Sequence, residues 1–365
     1  MSTDPKPSEA PLPERSKAPK QRKAPIPKQR KAPTSKQRVL PVDTPLQDNV
    51  KKTWVIGDKI GEGGFGTIYI ARGADEFVIK VEPTNSGPLY CELNFYIQNA
   101  KQNMLQAFMK KHSLTHLAVP KYISCGVVEP NRFMVMDRFG ADIDKLMNTT
   151  FIPITTILNI GVQLLYALEY IHSKGYVHSD IKPRNIVRGR DPDRNVYLVD
   201  YGLVSRYDST YLKDKCKDHM YTGTLEYCSV NVHAGCAPNR RGDVETLLYT
   251  LLDLLARSLF YQKTKKVWSG LTLPWRPPLL KRGKYPKKTW DAIGKLKAQS
   301  VSDPDEMIHS TLTHVGCELD DLVSSQKLAD YMHHCCSLGN KEMPDYEFLR
   351  RCLHEAGATG GTLQW

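Results

Sequence analysis

Two short runs a fixed distance apart constrain this chain more than any other feature. The first is His178-Ser179-Asp180-Ile181-Lys182-Pro183-Arg184-Asn185; the second, fifteen residues past Asn185, is Asp200-Tyr201-Gly202. Between them Val196–Val199 reads as a strand. Any fold of this chain has to gather these distant groups around one centre. As a set they suit phosphoryl transfer, which needs little covalent help from a protein. Asp180 would accept or orient the proton of an acceptor hydroxyl. Lys182 would offset charge on the group in transfer. Asn185 and Asp200 would bind magnesium.

Upstream, Gly61-Glu62-Gly63-Gly64-Phe65-Gly66 fits G-x-G-x-x-G. The string is shared with dinucleotide folds, where it joins a strand to a helix. Here it lies between two strands of a hairpin, with another strand after it, the context of a loop over ATP phosphates. Gly61, Gly63, Gly64 and Gly66 let the backbone approach the phosphates without a Cβ clash. Ile60 and Ile68 flank them and are assigned to the same nucleotide site. A flexible hairpin turn is the bland alternative for the glycines alone. Val78-Ile79-Lys80 on the third strand supplies a lysine for the α- and β-phosphates, and Glu92 on the next helix is its natural partner. Most Lys–Glu pairs are surface charges; four motifs in order at these intervals favour the functional reading.

The coarse pattern is α+β. Strands are expected at Trp54–Ile60, Thr67–Ala71, Glu76–Val81, Pro120–Cys125 and Arg132–Asp137, with one main helix after Pro88. From Gly140 the pattern turns helical. Ile154, Ile157, Leu158, Leu164, Leu165, Leu168 and Ile171 form one buried stripe; Val244, Leu247, Leu248, Leu251, Leu252 and Leu255 form another, with Asp243 standing where an N-cap would sit. The expected organisation is a disordered basic tail over 1–50, a small antiparallel sheet lobe over 51–137, a larger helical lobe over 138–356 and a short tail over 357–365.

The net charge of +12 is uneven: residues 1–52 hold 13 Lys or Arg against 5 Asp or Glu, or +8 of the total. The tail repeats Lys-Gln-Arg at 20–22, 28–30 and 36–38 and Lys-Ala-Pro at 23–25 and 31–33. Such a proline-bearing, nearly aromatic-free tract cannot offset its ordering entropy by burial. Nucleic-acid contact through residues 15–38, or nuclear import, is the functional reading, and solvated charge the bland one. The 9 cysteines follow no framework, which points to reduced thiols. His333, His334, Cys335 and Cys336 are neighbours, and neighbouring side chains rarely converge on one zinc tetrahedron. No secretory signal or membrane anchor is expected. The longest apolar stretch, Val244–Phe260, contains Glu245, Asp253 and Arg257. An intracellular protein is expected.

Longer motifs refine this. Lys80-Val81-Glu82-Pro83, Gly87-Pro88-Leu89, Phe133–Gly140, Tyr176–Lys182, Val196–Leu203, Gly223-Thr224-Leu225-Glu226 and Pro238–Glu245 resemble the casein kinase I-like group of eukaryotic protein kinases. Within that group the sequence is similar to the vaccinia-related kinases, over about residues 54–355. The resemblance implies the bilobal protein kinase fold and Ser/Thr transfer from ATP with Mg2+. It implies Met136 as gatekeeper, Asp137–Phe139 as the hinge lining the adenine slot, and Asp243 as a brace for the catalytic loop. It implies protein substrates such as histones or chromatin-bridging proteins and a nuclear or mixed nuclear and cytoplasmic location. Apart from the resemblance, which leaves the oligomeric state open, a monomer is expected. A-P-E is replaced by Ser229–Gly235, as in that group, and Tyr201 stands for Phe. Ser179 replaces the arginine of H-R-D, which argues against control by loop phosphorylation. Two alternatives stay open at this point: a nucleotide-sensing scaffold without transfer activity, and a nucleic-acid-binding protein using the basic tail.

Overall fold

The computed structural model describes residues 40–63, 66–85, 87–207, 222–268, 270–276, 285–313 and 323–365. Its first half is a sheet of β1 (Pro45–Gln47), β2 (Thr53–Gly63), β3 (Gly66–Ala71), β4 (Phe77–Pro83), β5 (Ser124–Val128) and β6 (Asn131–Asp137). The strand order is β1-β2-β3-β4-β6-β5, antiparallel throughout. The two end strands come close without pairing: a Cβ on Gly126 of β5 would lie 2.8 Å from Gln47 O of β1, and Asn49 N, just past β1, donates to Cys125 O at 2.9 Å. Period-two alternation then gives the sheet two working faces. On β4, Ile79 and Val81 enter a core with Leu46, Trp54, Ile56, Tyr69, Phe133 and Val135. Val78 belongs to the main core instead, and Lys80 reaches Glu92.

Two helices follow β4. α1 (Pro88–Asn99) starts with proline at its first position, where no N–H is needed. Its N-terminus is capped from the sheet: Glu82 Oε2 accepts Leu89 N at 2.9 Å. α2 (Gln102–Lys111) was not expected, although Met104, Leu105, Phe108 and Met109 recur at helical spacing; Leu105 is buried, and Phe108 and Met109 pack against the core. Its role is to join the halves. Phe108 packs edge-on against Tyr170, whose hydroxyl donates to Asn99 O at the end of α1. Beyond α2, His116 Nε2 meets Val196 O at 2.8 Å and Leu198 N donates to Ala118 O at 2.9 Å.

The second half comprises α3 (Ile143–Met147), α4 (Ile154–Ser173), β7 (Tyr176–Val177), β8 (Ile186–Arg188), β9 (Val196–Leu198), β10 (Ser205–Arg206), α5 (Val230–His233), α6 (Arg240–Thr264), α7 (Lys287–Val301), α8 (Pro304–Thr313), α9 (Ser325–Ser337) and α10 (Tyr346–Glu355). α6 is buried on nearly every side from Gly242 to Leu259: its leucines fill the core, and its buried polar residues, among them Asp243, Glu245 and Asp253, are hydrogen-bonded within the fold. Each of its leucines contributes about 1.5–3 kcal/mol of burial. A Cβ at Gly161 of α4 would lie 2.7 Å from Leu251 and 2.8 Å from Leu353, so glycine sets how closely α4, α6 and α10 approach.

Several expectations change. The ordered chain begins before residue 51: β1 pairs with β2, and Leu46 is fully buried in the sheet's core. Residues 1–39 of the expected tail lie outside the described residues. Asn239, not Asp243, caps α6, through Gly242 N at 2.8 Å. The segment after Gly357 is seated on α4. Asn159 Oδ1 accepts Thr359 N and Gly360 N, its Nδ2 donates to Thr359 Oγ1 and Gly361 O, Gln364 N donates to Thr156 Oγ1, and Leu363 is buried. Among the described residues one helix is long and apolar enough to cross a membrane. It is α4 rather than Val244–Phe260, and most of it is buried in the fold as a core helix.

Candidate active site

The site is built on the β8–β9 hairpin. Ile186 pairs with Leu198 and Val199 N donates to Asn185 O at 2.9 Å, which holds the loops bearing Asn185 and Asp200 face to face. Asp200 is left-handed, φ 66°, ψ 69°, an uncommon state for a non-glycine residue that turns its carboxylate toward β4. Lys80 Nζ lies 2.6 Å from Glu92 Oε2 and 3.3 Å from Asp200 Oδ1. Glu92 Oε1 accepts Tyr201 N at 3.3 Å, so one carboxylate ties α1 to both the lysine and the Asp-Tyr-Gly turn. Tyr201 stacks on Phe95 of α1 at 4.5 Å.

Electrostatics agree with the geometry. Burial pulls the Lys80 pKa down, but Glu92 and Asp200 outweigh it and hold the amine charged. Burial pushes Asp200 up, and the Lys80 charge and hydrogen bond bring it below the usual carboxylate range. Both groups are therefore ionised at neutral pH.

The Asp180 loop is fastened from beneath. Asp243, buried on α6, accepts His178 N at 2.7 Å through Oδ2 and Ser179 N at 2.9 Å through Oδ1, and pairs with His172 Nε2 at 2.8 Å. This is the bracing role expected of Asp243. Burial raises its pKa, and the His172 bond and the loop N–H donors bring it below normal. Ser179 takes φ 71° to reach both contacts. Asp180 Oδ2 accepts Lys182 Nζ at 2.7 Å and Asn185 Nδ2 at 3.1 Å; its Oδ1 accepts Thr224 Oγ1 at 2.7 Å. Lys182 Nζ also reaches Thr224 Oγ1 at 2.8 Å. A Cβ on Gly223, φ 85°, would sit 2.8 Å from Ser179 O, so glycine is what lets this segment approach the loop.

The expected nucleotide wall is placed in part. β2 and β3 carry the glycines, with Gly61 opposite Ile68, Gly63 opposite Gly66 and Ile68 opposite Lys80. Ile60 is skipped by a register shift and is half exposed. Gly64 lies outside the described residues. Met136 is buried beside Val78, whereas Asp137 turns to Lys121 at 3.5 Å and Phe139 packs on Tyr197 at 4.3 Å. The hinge is tied to both halves, by Arg138 N to Glu76 O and Gly140 N to Arg188 O, each 2.8 Å. His333, His334 and Cys335 diverge: to Asp305, to Asp345 N and into the core.

The residues fit a magnesium–nucleotide complex. Both recorded Asn185 side-chain bonds use Nδ2, which leaves the amide oxygen as a hard ligand beside the Asp200 carboxylate. Among the described residues there is no cluster of three or more His, Cys, Asp or Glu placed to hold a metal ion. Magnesium held between substrate phosphates needs only one or two protein carboxylates and several waters. Thr224 and Glu82 stand in family motifs without a role of their own, and His172 and Lys297 stand in none. Each looks like an ordinary polar residue in the sequence, and only the fold makes it a partner.

Residues 54–339 match the protein kinase domain family. Nucleosomal histone kinase 1 of Drosophila melanogaster is 34% identical over 86% of this chain and 49% of its own length. Serine/threonine-protein kinase VRK2 of Homo sapiens is 34% identical over 89% of this chain and 62% of its own length. The chain thus spans about half to three fifths of these relatives. The B1 kinase of vaccinia virus (strain Ankara) is 34% identical over 84% of this chain and 96% of its own length. The structure of vaccinia related kinase 3 shares the fold, with TM-score 0.69 and 24% identity over 88% of this chain and 93% of that one. With its sheet lobe, its helical lobe and these relatives, the chain belongs to the protein kinases and, among them, to the vaccinia-related kinase family.

Proposed function

We propose that this kinase transfers the γ-phosphate of Mg-ATP to serine and threonine hydroxyls of protein substrates, with Asp180, Lys182, Lys80, Asn185 and Asp200 in the roles given above. The observation that carries it is Lys80 between Glu92 at 2.6 Å and Asp200 at 3.3 Å. That geometry joins β4, α1 and the metal-binding turn in one assembled state. Magnesium would neutralise charge on the phosphates, held by Asp200 and the Asn185 amide oxygen. Asp180 would orient the acceptor hydroxyl and take its proton; Lys182, 2.7 Å away, would stay beside it to stabilise negative charge. The intact acidic groups speak against a scaffold without transfer activity.

The test is phosphate incorporation from labelled ATP into a panel of nuclear proteins. Asp180→Asn should lower the rate by about 10²–10⁴-fold at unchanged Tm. Equal incorporation by the two proteins would refute the assignment.

A second reading concerns location and substrates. One relative is named a nucleosomal histone kinase, and the repeat over 15–38 is strongly basic. Both favour a nuclear protein that meets chromatin, with histones as a substrate class and the tail as a polyanion contact.

A further inference from the structure

Lys297 on α7 is fully buried, and nothing in the transfer reaction uses it. Its Nζ donates to Cys228 O at 2.6 Å, Glu226 O at 3.2 Å and Leu225 O at 3.3 Å. The rings of Trp275 and Tyr249 lie 5.1 and 5.3 Å away. An ammonium has three N–H donors, and here three carbonyls receive them. Burial pushes the pKa of this lysine down, opposed by the nearby negative charge of Cys228, Glu245 and Glu226; the three carbonyls and the two ring faces also suit an ammonium. An uncompensated buried cation is expensive, so such a group persists where it organises something.

What it organises is the segment from Gly223 to Val230. Trp275 Nε1 donates to Glu226 O at 2.8 Å, and Val230 N donates to Glu245 Oε1 at 2.7 Å. At the near end of that segment, Thr224 Oγ1 bonds Asp180 Oδ1. Lys297 therefore grips the carbonyls one, two and four residues beyond the side chain that touches Asp180. Among the described residues, the ion pairs of the nucleotide side join Lys80, Glu92 and Asp200 to one another, whereas the hydrogen bonds of Lys297 go to residues 225, 226 and 228.

We infer that Lys297 is a positioning residue for the protein-substrate side of the site: its ammonium draws three carbonyls together and so sets Thr224 against Asp180. This rests on the reading of Asp180 given above. An internal cation then does from below what a phosphorylated side chain and an arginine do from above in kinases that are switched on.

The full-length protein tests this with dephosphorylated casein as acceptor. Lys297→Met keeps the bulk and removes the donors; Lys297→Gln keeps two of them. Lys297→Met should raise the KM for casein at least fivefold, with the KM for ATP and the slow hydrolysis of ATP by water within twofold of wild type. Lys297→Gln should recover most of the loss. If Lys297→Met does not fold, Lys297→Gln carries the test with a two- to threefold rise confined to casein. A rise in both KM values together, or in neither, overturns the proposal. Asp180→Asn run in parallel separates the two readings. If it transfers phosphate like wild type, the Asp180 assignment has failed, whatever Lys297 does.

Discussion

Glu82 shows how one buried side chain can couple the site to pH. Its Oε2 caps α1, while Oε1 is buried with no partner among the described residues. Burial raises its pKa from the ordinary 4.5 to about 7, against the pull of Leu89 N, Lys80 and Arg132 and with help from Glu92. The folded value lies above the unfolded one, so the native state favours the protonated acid. That contribution is complete below about pH 4.5 and is lost as the pH rises through 7. The loss is about 2–3 kcal/mol once solvent screening is allowed for. A glutamine amide in its place would accept from Leu89 N at every pH. The stability of Glu82→Gln relative to wild type, from urea midpoints, should therefore climb between about pH 5 and 8; a flat difference would contradict the assignment. Asp180, Asn185 and Asp200 were legible in the sequence because phosphoryl transfer demands those residue types at that spacing. Glu82, Thr224 and Lys297 were not, because their meaning lies in which backbone atoms and side chains they meet after folding.

At the scale of elements, the main strands and the two core helices follow from periodicity, and their ends moved by only a few residues. In the sheet half, α2 and β1 were not expected; in the helical half, only the two core helices and the strand at Val196 were placed one by one. α2 carries an apolar stripe at Met104, Leu105, Phe108 and Met109 that is legible in the sequence, although no helix was expected from it, whereas β1 is three residues long and begins with a proline, too short to carry a pattern. Both are defined by what they touch. α2 leads from the end of α1 to the loop that holds β9, and Tyr170 on α4 secures that junction by donating to the Asn99 carbonyl. The last carbonyls of a helix have no intrahelical donor, so removing this one strands a buried acceptor. Tyr170→Phe should cost about 1–2 kcal/mol. Because α1 carries Glu92, it should also raise the KM for ATP a few-fold without changing the KM for the protein acceptor. Steady-state kinetics with both substrates varied distinguishes this from a general loss of stability.

At the scale of the molecule, the segment from Thr359 to Gln364 is stitched to α4 by Asn159 and Thr156. Asn159→Ala removes the partner of two amides, a hydroxyl and a carbonyl. It should cost about 2–4 kcal/mol, with amides 359–361 exchanging at least tenfold faster. The basic tail makes the opposite prediction. Removing residues 1–36 should leave Tm and peptide phosphorylation unchanged. It should weaken DNA binding and flatten its dependence on salt, as counterion release requires. A salt slope equal to that of the full chain would sink the polyanion reading.

The hydrogen bond from Asn49 to Cys125 reaches further than the fold itself. A last strand covered by the turn that follows the first offers neighbouring molecules less bare backbone to add to. Trimming the chain at residue 51, where composition alone would end the basic tail, would remove β1 from the rim of β2 and the Asn49 turn from the rim of β5. A truncated protein of that kind should self-associate through those rims. One that keeps everything from Leu40 onward should stay dispersed.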